Sequence, residues 1–286
     1  MTIQTQSQAA HDLRLAARQG LLPARGSGWL AGFGNMLSKE LGEWFRTRRW
    51  LVQLSIWLFL INGFIGFILF VLPMLNSTKP VRDQMSGAIP PETQAFVMYF
   101  TIAVMGGTIG VIILAQDEII QEKQSGTAAW ILSKPASRST FILTKLLSNA
   151  IGALVFIVGL PGLVTLGESY LATHQAAPLG PFLAGVGVVM LALVFYLSLV
   201  ILLGVMCESR GRMLGIAFGL MFGGMLLNNL IPQLNYVLPV NMDKIAQALF
   251  LGVPLPAMFV SQVIAAAVLS IVFILAALWR FHSVEL

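Results

Sequence analysis

The chain has 286 residues, of which 57% are hydrophobic and only 10% charged, and it carries a net charge of +5. Soluble domains hold about 25% charged residues, so a water-soluble globular fold is excluded. The positive balance follows membrane topology rather than nucleic-acid affinity.

A bilayer span needs about 20 mostly apolar residues, and several runs exceed that length. The fold class is an all-α membrane protein with six transmembrane helices. Residues 1–35 read as a polar tail, broken by Gly20, Pro23, Gly26 and Gly28, with a short helix over Ala10–Leu22. Residues 36–286 form the six-span domain. It opens on Met36–Trp50, MLSKELGEWFRTRRW. On a helix, Met36, Leu37, Leu41, Trp44 and Phe45 fall near one face, with Lys39, Glu40, Glu43 and Arg46 largely elsewhere. That pattern suits a helix lying in the interface plane, with an ordinary basic flank as the alternative.

The first long apolar run begins at Leu51 behind this basic segment, and reads as a span rather than a cleaved leader. The expected spans are 51–75, 93–115, 145–167, 182–206, 213–231 and 255–279. Seven Lys and Arg precede the first span, four lie in the interruption 116–138 and its exit, and three flank the later inner ends. Only Lys79, Arg82 and Lys244 fall on the other side. The positive-inside rule therefore predicts that both termini and the interruption are cytoplasmic. Cys207 is the single cysteine, so no intrachain disulfide forms.

No uncharged run holds an Asp, Glu, Lys or Arg; Glu168 is placed in the third-to-fourth link. None of the six lysines follows a glycine, so the phosphate cradle G-x-x-x-x-G-K-[ST] is missing. The three histidines are scattered, and no metal-ligand spacing occurs. Catalytic and metal-binding residues are therefore expected to be none. Gly211, Gly215, Gly219 and Gly223 repeat every four residues along one face of the fifth span. Small-residue faces let helices approach closely in lipid. The face reads as a seam beside a pathway, a dimer contact or tight packing within the chain. Gly106, Gly107 and Gly110 invite the same readings. A seam predicts that Gly219→Leu damages assembly or transport more than Gly185→Leu. Gly159, Pro161 and Gly162 should bend the third span. Asn228, Asn229 and Pro232 suggest a broken helix tip, followed before the sixth span by a short apolar-faced helix around Met242–Phe250, a re-entrant outer segment that rests at the outer interface or dips into it.

The interruption, QDEIIQEKQSGTAAWILSKPASR over 116–138, must project from the membrane. Glu118 and Glu122 are like charges four apart, which local helix stability does not favour. A basic partner outside the chain would explain them. Gly126 breaks the helix, Thr127 caps a second short one, and Pro135 stops it. Ser137 or Ser139 then caps the third span. Trp130, Ile131 and Leu132 beside these charges form a candidate docking surface.

These residues carry a resemblance. Glu122…Gly126-Thr127…Leu132…Pro135…Ser137-Arg138…Lys145 resembles the E..GT….L..P.SR……K signature of type-2 ABC transporter permeases, the membrane subunits of ATP-driven exporters. KELGEWFRTRR resembles that family's basic interfacial helix, and the likeness covers Met36–Leu286. It implies a non-enzymatic permease in the cell's inner or plasma membrane, with two copies of an ATP-binding cassette subunit and a second permease subunit, a homodimer rather than a heterodimer. ATP and Mg would be held by the ATPase partner, with no cofactor in this chain and no nucleic acid involved. The ATPase would seat the elbow through Glu118, Glu122, Lys123, Gly126, Thr127, Trp130, Leu132, Pro135, Ser137 and Arg138. The interfacial helix would contribute Lys39, Glu40, Trp44, Arg46, Arg48 and Arg49. Packing or pathway roles would fall to Gly106, Gly107, Gly110, Gly215, Gly219, Gly223, Asn228 and Asn229. Cargo does not follow from the family. A membrane anchor or assembly subunit that moves nothing is the competing reading. The acidic pair Asp117–Glu118 and the tail 1–35 lie outside the family pattern.

Overall fold

Long apolar runs with few breakers leave the backbone no water to bond, so its polar groups close on themselves as helices. The computed structural model describes residues 28–76, 90–116, 119–125 and 137–283, which are helical and contain no strand. Helix α1 is Phe33–Arg46 and α2 is Arg49–Leu75. Then follow α3 Pro91–Ala115, α4 Ile120–Gln124, α5 Arg138–Thr173 and α6 Leu179–Met206. The chain closes with α7 Arg210–Leu230, α8 Met242–Leu251 and α9 Phe259–His282. Six of these helices (α2, α3, α5, α6, α7 and α9) are long and apolar enough to cross a bilayer.

Helix α6 is the hub, packed by α9, α8 and α3. Two-thirds (67%) of its most apolar stretch is buried, against 22% for α7 and 17% for α9. The outer helices thus turn most of their apolar surface away from the chain. A phenylalanine and tyrosine cluster locks α3 to α6 and α8, with Phe96 and Phe250 ring centroids 4.3 Å apart. Gln247 of α8 donates to Thr101 Oγ1 at 2.9 Å.

Helix α5 departs from the expected span at both ends. Ser137 caps it, its Oγ accepting from the Thr140 amide at 3.1 Å, so the helix begins roughly two turns before Lys145. At its far end it continues to Thr173, taking in Glu168. Lys145 and Glu168 therefore both belong to the helix, and the expectation of a span without charged residues is corrected. Within α5, the wide turns of Ala153–Gly159 immediately precede Pro161, which has no N–H to donate. The expected bend is a π segment. Helix α2 has two more, Leu58–Asn62 and Phe67–Val71.

Candidate functional site

The face of α1 is set by a four-residue repeat. Met36, Glu40 and Trp44 form the buried stripe and pack on α5. Glu40 was expected on the polar side, and Phe45 on the apolar one. The structure reverses both, with Glu40 3% exposed and Phe45 62% exposed.

The reason is Lys145. Its ammonium, on a residue only 2% exposed, lies 3.3 and 3.4 Å from the two oxygens of Glu40 and 3.1 Å from Glu122 Oε1. It also sits 5.2 Å from the centroid of the Phe141 ring. Lys39 approaches Glu40 at 3.6 Å and Glu122 at 3.8 Å from the exposed side. Two carboxylates thus meet two ammonium groups where α1, α4 and α5 converge. Desolvating an ion costs several kcal/mol even after relaxation, and only close pairing offsets it. The like-charge pair Glu118 and Glu122 was expected to await a basic group outside the chain. For Glu122 that group is Lys145, from within. Glu122 Oε2 accepts no hydrogen bond among the described residues.

Trp44 extends this junction. Its indole occupies the space over Gly152, where a Cβ would lie 2.3 Å from the ring, and stacks on Phe156 with centroids 5.5 Å apart. The Arg49 guanidinium lies 4.8 Å from the same indole and donates to the Leu114 carbonyl at 3.2 Å, near the C-terminal end of α3. A cation there complements the helix dipole. Arg46 and Arg48 are exposed.

The start of α5 ties in the rest of this end of the molecule. The Ser137 amide donates to the Ala31 carbonyl at 3.1 Å, and its hydroxyl to the Trp29 carbonyl. Arg138 donates to the Phe281 and His282 carbonyls at 2.9 and 3.0 Å, covering the end of α9. Phe141 and Phe281 stack with centroids 5.1 Å apart. Gln124 of α4 donates to the Glu208 carbonyl at 3.0 Å, reaching the α6–α7 link. Glu118, Gly126, Thr127, Trp130, Leu132 and Pro135 lie outside the described residues, as does the side chain of Lys123.

The two glycine sets separate. On α3 a Cβ at Gly110 would lie 2.4 Å from the Trp57 ring, and at Gly106 3.2 Å. At Gly107 it would meet Ile157 and Leu193, each at 3.2 Å. Those three glycines admit neighbours of this chain. At Gly211, Gly215, Gly219 and Gly223 a Cβ would meet nothing within 4 Å. Tight packing within the chain is therefore not what the α7 repeat serves. Gly185, by contrast, faces Phe100 at 2.6 Å and the Ala246 carbonyl at 3.1 Å. Within the single chain the space at Gly185 is filled and that at Gly219 is open, whereas the expected ranking of Gly219 above Gly185 concerns assembly or transport. Helix α7 ends at Leu230 and passes into the 3-10 turn Pro232–Tyr236, as a broken tip would. Asn228 keeps a buried Oδ1 that accepts no hydrogen bond among the described residues, and the side chain of Asn229 is outside them.

Sequence reasoning missed Lys145 as the centre of this junction because the residue was taken as a span boundary. The signal was the Ser137 cap with Thr140 after it, which moves the helix start back. A family model described as a protein of unknown function (DUF2705) matches residues 59–285. No curated protein matches the chain.

Proposed function

We propose that this chain, which belongs to the DUF2705 family, is the membrane-spanning permease subunit of an ATP-driven exporter. The observation that carries the proposal is the Glu40–Lys145–Glu122 junction. It joins the helix before the first span, the elbow after the second and the start of the third. These are the three parts through which a permease without its own nucleotide site would receive force. A displacement of the elbow passes to α5 through a buried ion pair rather than through a loose loop, and Arg138 carries it on to the end of α9.

In this reading the junction faces the cytoplasm, in line with the Lys and Arg distribution. Helix α1 lies at the inner interface, and α8 returns into the outer boundary between α3 and α6. A separate ATP-binding cassette subunit, in two copies, seats the elbow 116–138. The unfilled glycine face of α7 and the exposed apolar side of α2 leave room for a second permease subunit. ATP and Mg belong to the ATPase, and cargo is left open.

The test is purification of tagged full-length chain from native membranes in mild detergent. A nucleotide-hydrolysing subunit should co-purify, and Gly126→Trp, in the elbow sequence and not itself a member of the ion pairs, should release it while the permease stays folded. If no such subunit co-purifies, or a reagent unable to cross the membrane labels a cysteine placed at Gly126 from outside, the proposal fails.

A further inference from the structure

A second polar cluster lies between α2 and α5, remote in sequence from the ionic junction. Asn62, 5% exposed, sits near the middle of α2. Its amide nitrogen lies 3.0 Å from the Pro161 carbonyl, 3.1 Å from Thr165 Oγ1 and 3.3 Å from Glu168 Oε2. The fully buried Thr165 hydroxyl itself donates to the Pro161 carbonyl at 3.0 Å. The orientation of the amide is fixed by its neighbours, since the reverse would set Oδ1 against a carbonyl and a carboxylate. Asn62 Oδ1 is buried and accepts nothing among the described residues.

The cluster is short of donors. An asparagine amide brings two hydrogens and a threonine hydroxyl one. The Thr165 hydrogen goes to Pro161, leaving the Asn62 hydrogens divided among three acceptors, while among the described residues the buried Asn62 Oδ1 and the half-buried Glu168 Oε1 accept nothing. It is also short of positive charge. Among the described residues Glu168 has no ion pair, and its hydrogen bond is the long one from Asn62. The carboxylate lies against Gly66, where a Cβ would stand 3.5 Å from Oε1. It is one turn from the C-terminal end of α5, whose carbonyls add negative potential. Each helix carries a π segment beside the cluster, Leu58–Asn62 on α2 and Ala153–Gly159 on α5, a distortion often found at binding sites. Glu168 is half-buried in a helix long and apolar enough to cross a bilayer, and a carboxylate within such a helix usually marks a binding or conduction site.

We propose that Asn62 and Glu168 bind a protonated primary amine carried on an amphipathic molecule, where α2 and α5 meet. An ammonium group supplies both missing quantities, a positive charge for Glu168 and N–H donors for Glu168 Oε1 and Asn62 Oδ1. A divalent metal is disfavoured, because it would ask for several hard oxygen ligands and more than one carboxylate. A quaternary ammonium brings charge but no donor. The amine source is a lipid head group or a free alkylamine, and the site does not require the chain to be a permease.

The experiment uses the full-length chain, with any co-purifying subunit, in phosphatidylcholine nanodiscs without nucleotide. Thermal midpoint and apparent affinity are measured against dodecylamine, dodecyltrimethylammonium and dodecanol. Dodecylamine should stabilise the protein at concentrations where the other two do not. Glu168→Gln should weaken its apparent affinity on the order of tenfold or more. Gly66→Val, which keeps both polar residues and fills the space beside the carboxylate, should do the same. Nanodiscs of phosphatidylethanolamine should compete with dodecylamine if the head group is the natural occupant, and leave its affinity unchanged if a free amine is. Equal responses to the primary and quaternary amines, or an unchanged dodecylamine affinity in both variants, would overturn the site.

Discussion

Two polar clusters sit inside this apolar bundle, and they are built differently. At Glu40, Lys145 and Glu122 two carboxylates meet one buried and one exposed ammonium group, all within 3.8 Å of a partner. At Asn62, Thr165 and Glu168 an amide bonds both a hydroxyl and a single carboxylate, with no cation beside them among the described residues. The first cluster is close to electrically complete and joins three helices. The second is incomplete and joins two. A set balanced in charge serves as a structural joint, because no further cation needs to arrive, even though Glu122 Oε2 accepts no hydrogen bond among the described residues. A deficient one is a place where something from outside improves the energy.

The sharpest way to break this contrast is to unbalance the complete cluster. Lys145→Met takes from Glu40 its buried cation, leaving only the half-exposed Lys39 at 3.6 Å, and should cost about 3–5 kcal/mol, read as thermal or denaturant unfolding in detergent. Adding Glu40→Gln and Glu122→Gln to that variant should recover most of the loss, since a buried ion set replaced as a unit is often near neutral. A Lys145→Met protein as stable as the native one would remove the joint. Next in size is Gly185→Leu, which drives a side chain into Phe100 and the Ala246 carbonyl. About 1–3 kcal/mol is expected from overpacking, with the same sign at Gly152→Val, where Trp44 is displaced. In Gly152→Val, cross-linking between cysteines placed on α1 and α5 should fall.

Asn62→Leu should cost less, about 0.6–1.7 kcal/mol, the range for hydrogen bonds between membrane helices. A loss as large as that of Lys145→Met would mean the second cluster is also a joint. The smallest effect belongs to Gly219→Leu, within about 0.5 kcal/mol for the isolated chain, because a Cβ there meets nothing. If this variant unfolds the monomer, the α7 face is packed after all. If it leaves the monomer intact and reduces self-association, the face is a contact between copies.

Much of the architecture was legible because lipid imposes so few solutions. Apolar length alone marked six spans, and the Ser137, Pro161 and Pro232 punctuation lay close to observed helix features. The short helix after the broken tip was legible too, from Met242, Ile245 and Ala246 on one face. The ionic junction was not, since residue 145 looks like a membrane boundary unless the helix is known to start at residue 138. Nor could the repeat at 211, 215, 219 and 223 reveal whether it was filled.

Sequence by itself determined the helical class, the number of spans and the asymmetry of positive charge, because transfer free energy and the backbone's need for internal hydrogen bonds act locally. Only tertiary structure decided which charges pair. Glu40 and Lys145 are 105 residues apart, and Asn62 and Glu168 are 106. The worth of a buried charge depends on what stands within a few ångströms of it, and no local pattern encodes that neighbour.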